Sequence, residues 1–514
     1  MDMTALPNNV QTLKQQVIAQ QGEITLLLEK VRLLKDQLFG RKSERLEELN
    51  ALGQLNLFGD GEDLDHPAPS PKTRVNSHNR KKPRRTPIPE EYPRIDVVHD
   101  IDEQDKICHC GCRKSMINED ISEELDITPA KIHVIRHRRP KWACRGCENV
   151  DQIGPTVAIA PLPPKILPRC LASYGLLAYI VVSKYVDAMP LYRQEQYFRR
   201  HHLEISRKTM SDWIVKLGVK LDAVWRLLLE EIRGAPWIGM DETRIRVHKE
   251  KGRSNKSTSY MWVMQCRQPN PVVLFHYHPS RGAQVPKELL EGYQGVVVSD
   301  EWYAYKHLEK LVSDNIRMII HALCWVHVRR YFVDVVKGLG DTVLNPKSIT
   351  AQALKAIQQL YALEARADDE GYSLDQRHRM RQTETRPLLE ELKRKLDKVL
   401  LESTPTGNLA KAIKYTVRNW KELNVFLDHP LVDPDNNWAE NFIRPFVIGR
   451  KNWLFAGSPA GAKASATLYS LAITAKANGV NEYEYFRHLF KNLPLAKTEA
   501  EIKALLPTTY KQSN

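Results

Sequence analysis

Trp237-Ile238-Gly239-Met240-Asp241-Glu242-Thr243-Arg244-Ile245-Arg246-Val247 reads as a β-strand, with Asp241 inside it or just past it. Tyr260-Met261-Trp262-Val263-Met264 is a second strand, and Pro271-Val272-Val273-Leu274-Phe275-His276-Tyr277 a third. The links between them are of hairpin length. A short helix is expected over Ala283 to Leu290. Gly295-Val296-Val297-Val298-Ser299-Asp300 is an apolar strand ending in an acid, and after another helix comes a strand at Ile316 to His321.

Three antiparallel strands followed by β-α-β units is the order of an RNase H-like core. The apolar fourth and fifth runs fit buried parallel strands. In such a sheet the first and fourth strands are neighbours, so Asp241 and Asp300 stand side by side at the rim. Two adjacent carboxylates repel unless a hard cation lies between them. The third acid is expected from Asp433-Pro434-Asp435-Asn436-Asn437-Trp438-Ala439-Glu440-Asn441-Phe442-Ile443-Arg444-Pro445. Its Asp-Asn-Asn run is a helix-start signal through side-chain capping, which puts Glu440 in the first turns and Arg444 on the same face. Asp241, Asp300 and Glu440 are therefore the candidate ligands of two Mg²⁺ (or Mn²⁺) ions, which activate the attacking oxygen and stabilise the leaving one in phosphoryl transfer. Arg444, Arg450 and Lys451 are candidate DNA-backbone contacts. The plainer reading of this stretch is a capped surface helix with an ion pair. About 140 residues separate Asp300 from Glu440, too many for a loop, and helical patterning from about 349 to 425 makes them an inserted helical subdomain.

The 514 residues allow about three domains, and a net charge of +14 favours a polyanionic partner, nucleic acid first. No apolar run approaches the ~18 residues of a membrane span, and Met1-Asp2-Met3-Thr4 is not a signal peptide; a cytoplasmic, nucleoid-associated protein is expected. Val17, Ile24, Val31 and Leu38 recur every seven residues, with Leu13, Gln20, Leu27 and Leu34 in the alternate seam. That pattern favours a parallel two-stranded coil and a homodimer, against a helix packed on its own chain. An acidic, then Pro-rich, then basic linker follows. Its Arg84 and Arg85 are either solvated or part of a phosphate-tracking arm.

Cys108, Cys110 and Cys112 precede Cys144-Arg145-Gly146-Cys147. Two Cys pairs make one tetrahedral structural Zn²⁺ site, with one of the first three thiols spare. Lys131 to Arg139, between the groups, alternates in part like a basic strand. Tyr192 to Arg200, a turn at His201-His202, and a second helix capped by Ser206 with Lys208 at its start follow helix-turn-helix logic, or that of two ordinary bundle helices.

The stretch Asp435-Asn436-Asn437…Glu440…Arg444-Pro445…Gly449-Arg450-Lys451-Asn452-Trp453-Leu454-Phe455-Ala456-Gly457…Gly461-Ala462 resembles the end of the catalytic domain in the IS-sixty-six family of bacterial insertion-sequence transposases. Leu38-Phe39-Gly40-Arg41-Lys42-Ser43-Glu44, Lys184-Tyr185-Val186-Asp187…Pro190-Leu191-Tyr192-Arg193, Cys324-Trp325-Val326-His327-Val328-Arg329-Arg330 and Ala475-Lys476-Ala477-Asn478-Gly479 are similar to that family's too. The resemblance implies a DDE transposase with Asp241, Asp300 and Glu440 as its triad. It further implies that the chain binds the element's terminal inverted repeats and target DNA and works with accessory proteins of the same element. The crowded first Cys group departs from the family pattern. Cys324 and His327 have metal-ligand spacing but are read as core and scaffold.

The expected fold class is multidomain α+β: coiled coil 10–45, linker 59–95, zinc module 96–155, helical region 165–232, RNase H-like α/β core 236–340, helical insertion 345–430, the Glu440 helix and end of the core 433–490, and a tail 491–514. Two other functions fit less of this pattern. A non-catalytic DNA-binding regulator needs none of the three acids, and an RNase H-like nuclease uses them without strand transfer.

Overall fold

The computed structural model describes residues 132–143, 157–267, 269–306, 312–313, 316–317, 319–339 and 344–511. The expected coil, the linker with Arg84 and Arg85, and Cys108, Cys110, Cys112, Cys144 and Cys147 lie outside the described residues. The chain divides into two units, Phe58–Leu162 and the remainder. In the smaller unit β1 (Lys141–Ala143) pairs antiparallel with β2 (Val157–Ile159). The basic strand expected over Lys131 to Arg139 is not there: residues 132–140 are exposed and irregular, and the strand begins after Pro140. Its apolar Ile132, Val134 and Ile135 stay exposed beside the cations, so no buried face holds the segment in a sheet, and proline suits a strand's edge or start.

The larger unit begins with four helices, α1 (Tyr174–Tyr185), α2 (Leu191–Arg200), α3 (Arg207–Lys220) and α4 (Asp222–Arg233). The expected turn between α2 and α3 is present, with His202 at φ 58° and the Ser206 hydroxyl accepting the Thr209 N–H at 3.1 Å. Strands β3 (Trp237–Arg246), β4 (Thr258–Cys266) and β5 (Val272–His278) follow. Then come α5 (Gln284–Leu289), β6 (Gly295–Ser299), α6 (Tyr303–Lys306), a minimal hairpin of β7 (Val312–Ser313) and β8 (Ile316–Arg317), and β9 (Ile319–Leu323). The main sheet runs β5-β4-β3-β6-β9; β3, β4 and β5 are antiparallel, and β6 and β9 run parallel to β3. The last strand lies at 319–323 rather than the expected 316–321, because Ile316 and Arg317 pair back onto β7.

Alternation along the central strands divides the apolar residues between two cores. Ile238, Met240 and Val297 join the core made by the first four helices and the C-terminal helices. Trp237, Val296 and Val298 join the other, which takes in α7 (Trp325–Leu339), α8 (Ile349–Asp369), α10 (Arg386–Glu402) and α11 (Gly407–Arg418). Between α8 and α10, α9 (Leu374–Met380) runs into a π-turn at Arg381–Thr385. There the fully buried Arg381 meets both Glu364 oxygens, at 2.8 and 2.7 Å, and the Phe426 carbonyl at 2.7 Å. The helices expected over 345–430 are thus docked on one face of the sheet.

Two short helices, α12 (Trp420–Leu423) and α13 (Val425–Asp428), lead to α14 (Asn437–Trp453), α15 (Pro459–Ala477), α16 (Glu482–Asn492) and α17 (Glu499–Lys503). α15 packs on the edge strand β5. Ser470 Oγ accepts the Phe275 N–H at 2.7 Å and Thr474 Oγ1 the Val273 N–H at 3.0 Å, so helix hydroxyls satisfy a sheet edge. No helix among the described residues is long and apolar enough to cross a membrane.

Candidate active site

The register of β3 on β6 pairs Trp237 with Val296, Ile238 with Val297 and Gly239 with Val298. Carried two residues further, the same register sets Asp241 level with Asp300, just past the end of β6. The side chain of Asp300 accepts the Trp302 N–H at 3.0 Å, which fixes the turn leaving the strand. Asp241 accepts the Glu242 N–H at 2.8 Å.

Glu440 arrives on α14, and an unexpected contact aims it. Asn436 occupies the N-cap position but makes no capping bond. Its buried side chain reaches across to β3 instead, where Nδ2 donates to the Met240 carbonyl at 2.8 Å, one residue before Asp241. Asp435 takes over at the helix start, accepting the Asn437 N–H at 2.9 Å. The Asn436 N–H meets Cys324 Sγ at 3.3 Å, and Trp325 N–H donates to the Pro434 carbonyl at 2.9 Å. Gly239 leaves room for this crossing: a Cβ there would collide with the side chains of Gln265 and Asn436.

The three acids feel one another. Burial, together with the charges of Glu242, Glu440 and Asp300, pushes the Asp241 carboxyl well above the ordinary carboxylate range, against the pull of the Glu242 N–H. Among the described residues no Lys, Arg or His pairs with Asp241, whereas Asp300 has Arg281 at 3.9 Å and Glu440 has Arg330 at 3.4 Å and His327 Nε2 at 3.9 Å. Burial, strongest of the influences on His327, lowers its pKa; the charges of Glu440 and Asp300 oppose that, and Arg330 adds to it. An all-oxygen acid set with one carboxyl destabilised by like charge suits a hard divalent cation. In this arrangement no three His, Cys, Asp or Glu side chains among the described residues close on one ion. Glu440 is held by Arg330 and His327.

Several neighbours were not foreseen. Glu242, adjacent to Asp241, has a side chain only 1% exposed. Arg281 Nε donates to it at 2.6 Å and Tyr305 OH at 2.6 Å, and the Arg281 guanidinium stacks on the Trp302 ring at 3.7 Å. Arg281 thus bridges Glu242 and Asp300 from a loop that no motif marked. Glu440 pairs with Arg330 and His327 of α7 rather than with Arg444. Cys324 is fully buried, as a scaffold residue should be, but His327 stands at the acids. Arg444 and Lys451 are exposed. Arg450 is turned onto β3, donating to Thr243 Oγ1 at 3.0 Å and to the Arg244 carbonyl. Lys208 is exposed in the first turn of α3.

Residues 169–464 match the family model of the IS66 family transposase. The chain belongs to the IS66 transposase family. Three further family models match along it: the zinc-finger binding domain of transposase IS66 at 105–148, a segment described as transposase C of IS166 homeodomain at 26–97, and the IS66 C-terminal element at 470–508. All five cysteines of the two groups fall within 105–148. Among curated relatives, the chain is similar to the uncharacterized protein y4jD of Sinorhizobium fredii, 30% identical over 98% of this chain and 97% of the relative. It is likewise similar to the uncharacterized protein y4qI of the same organism, 30% identical over 94% of this chain and 88% of the relative.

Proposed function

We propose that this IS66-family chain is a DNA strand-transfer enzyme of the DDE type, with an RNase H-like core in which Asp241, Asp300 and Glu440 form the reacting centre. The observation that carries this reading is the convergence of the three acids from strand, strand and helix, with Asp241 left free of any cationic partner among the described residues. The sheet order, three antiparallel strands with two parallel ones added beside the first, supports the core assignment.

Asp241 and Asp300 would hold the divalent cation beside the scissile phosphate, joined by Glu440 once it leaves Arg330 and His327. Bound there, Mg²⁺ or Mn²⁺ would lower the pKa of an attacking hydroxyl and stabilise the leaving oxygen. The chain's own residues orient these acids. Asn436 ties the start of α14 to β3, and the Trp302 N–H and Arg281 steady Asp300. Arg330 is placed to take up a phosphate oxygen when it parts from Glu440. Arg444 and Lys451 are suited to the DNA backbone, while Arg450 serves β3 first. Upstream, one Zn²⁺ held by Cys144, Cys147 and two of Cys108, Cys110 and Cys112 would stabilise the small module, and residues 10–45 would dimerise the chain.

The test is a cleavage and joining assay on duplexes carrying the element's ends, with Mg²⁺ and with chelator. Wild type should nick and join only with the metal. Asp241→Asn, Asp300→Asn and Glu440→Gln should each lose joining by at least about a hundredfold while still binding the ends. Near-wild-type joining by any one of them removes that residue from the centre.

A further inference from the structure

The two elements that bring Asp241 and Glu440 to the site run on from it and finish together. α14 ends at Trp453, Leu454 follows with φ 66°, and the chain then straps onto the extension of β3. The Ala456 N–H donates to the Arg246 carbonyl at 2.9 Å, and the His248 N–H to the Ala456 carbonyl at 2.9 Å. The strap lays the Phe455 ring flat on the His248 imidazole, with centroids 4.0 Å apart and planes 13° apart. Phe455 is 44% exposed and Leu454 66% exposed, so an apolar side chain and a stacked ring pair face water together.

The surroundings are strongly basic. Between Thr243 and Ser259 the only acid is Glu250, and it is buried against Ser259 and Tyr277. Arg244, Arg246, Lys249, Lys251 and Lys256 are all exposed. An open aromatic stack ringed by cations has the two features by which single-stranded nucleic acid is held, a π-surface for bases and charge for the backbone. His248 lies seven residues beyond Asp241, roughly 23 Å along a strand rising about 3.3 Å per residue, a distance that a few nucleotides span.

We infer that His248, Phe455 and Leu454, with the basic β3–β4 hairpin, form a stacking platform for unpaired bases of the DNA strand whose phosphate lies at Asp241 and Asp300. This rests on the strand-transfer reading above. A base displaced from the duplex near the cut stacks on the exposed side of the ring pair, Leu454 closes beside it, and Lys249 and Lys251 meet the adjoining phosphates.

The test uses the zinc-loaded full chain with no Mg²⁺ or Mn²⁺ added, where no strand is cut, with oligonucleotides carrying 5-iodouracil at successive positions, either as blunt duplex or with a short unpaired end. Irradiation and peptide mass spectrometry should place crosslinks on Phe455 or His248 for the unpaired end only. Phe455→Ala should weaken binding of the unpaired-end DNA by about tenfold and leave blunt-duplex binding unchanged. Phe455→Tyr, which keeps the ring, should restore it, and that separates lost stacking from lost folding. Crosslinks confined to other segments, or equal losses on both DNAs with no rescue by Tyr, would overturn the platform. Because binding is read without Mg²⁺ or Mn²⁺, that result leaves the acid-triad assay untouched. Conversely, a wild-type chain that fails to nick and join the element's ends in Mg²⁺ would sink the strand-transfer reading whatever the crosslinks show.

Discussion

Asp241 is pushed up by burial and by three neighbouring acids, and this sets the sign of its effect on stability. A carboxyl with a raised folded-state pKa supports the fold fully below its unfolded value of about 3.9, and that support is lost as pH rises through the folded value. At neutral pH the buried Asp241 carboxyl therefore works against the folded chain, a penalty that a bound cation would relieve. In chelating buffer at pH 7.5, Asp241→Asn should unfold at a higher temperature than wild type, with the gap closing as pH falls towards 4. Mg²⁺ should raise the wild-type midpoint and leave the variant's almost unmoved. A variant less stable than wild type in chelator at pH 7.5 would contradict this electrostatic picture. The side chains that orient the acids were invisible in the sequence for a plain reason: Arg281 stands 39 residues from Glu242, and Arg330 110 residues from Glu440. Neither pair leaves a local pattern. Asp241 was legible, but only the fold shows that the adjacent Glu242 serves an internal ion pair.

The strands of the main sheet were legible because each holds a stretch of apolar residues long enough to bury, and the ends of the first four fall within a few residues of expectation. Local chemistry misled at two places. The Asp435-Asn436-Asn437 run does start α14, yet Asn436 spends its side chain on β3 rather than on the helix end. Gly457-Ser458-Pro459-Ala460-Gly461 reads as a small-residue loop, yet Pro459, Ala460 and Gly461 already belong to α15 behind the Ser458 cap. Asn436 makes a direct prediction. Asn436→Ala leaves the Met240 carbonyl without this donor and frees the start of α14, at a cost of about 1–3 kcal/mol. Thermal unfolding should report that loss, and end joining should fall further than DNA binding, because Glu440 loses its aim while the basic surfaces stay in place. Equal falls in both would make Asn436 a stability residue only.

Taken whole, the chain joins the unit that carries the three acids to segments that the family models match but that lie outside the described residues. The heptads at 13–38 predict a reversible dimer. Ile24→Lys with Leu27→Lys should shift the chain to monomer in sedimentation and abolish complexes holding two DNA ends, with single-end binding preserved. A double variant that still pairs ends would move dimerisation to another surface. The chemistry at the centre of the larger unit is best interrogated on the DNA itself, by replacing one non-bridging oxygen of the scissile phosphate with sulfur. Mg²⁺ binds sulfur poorly and Mn²⁺ accepts it better, so a cation carried by Asp241 and Asp300 against that phosphate predicts a specific pattern. One of the two sulfur diastereomers should lose joining by about a hundredfold or more in Mg²⁺ and regain most of it in Mn²⁺. Equal joining of both diastereomers and the all-oxygen substrate in Mg²⁺ would contradict a metal-held phosphate at these acids.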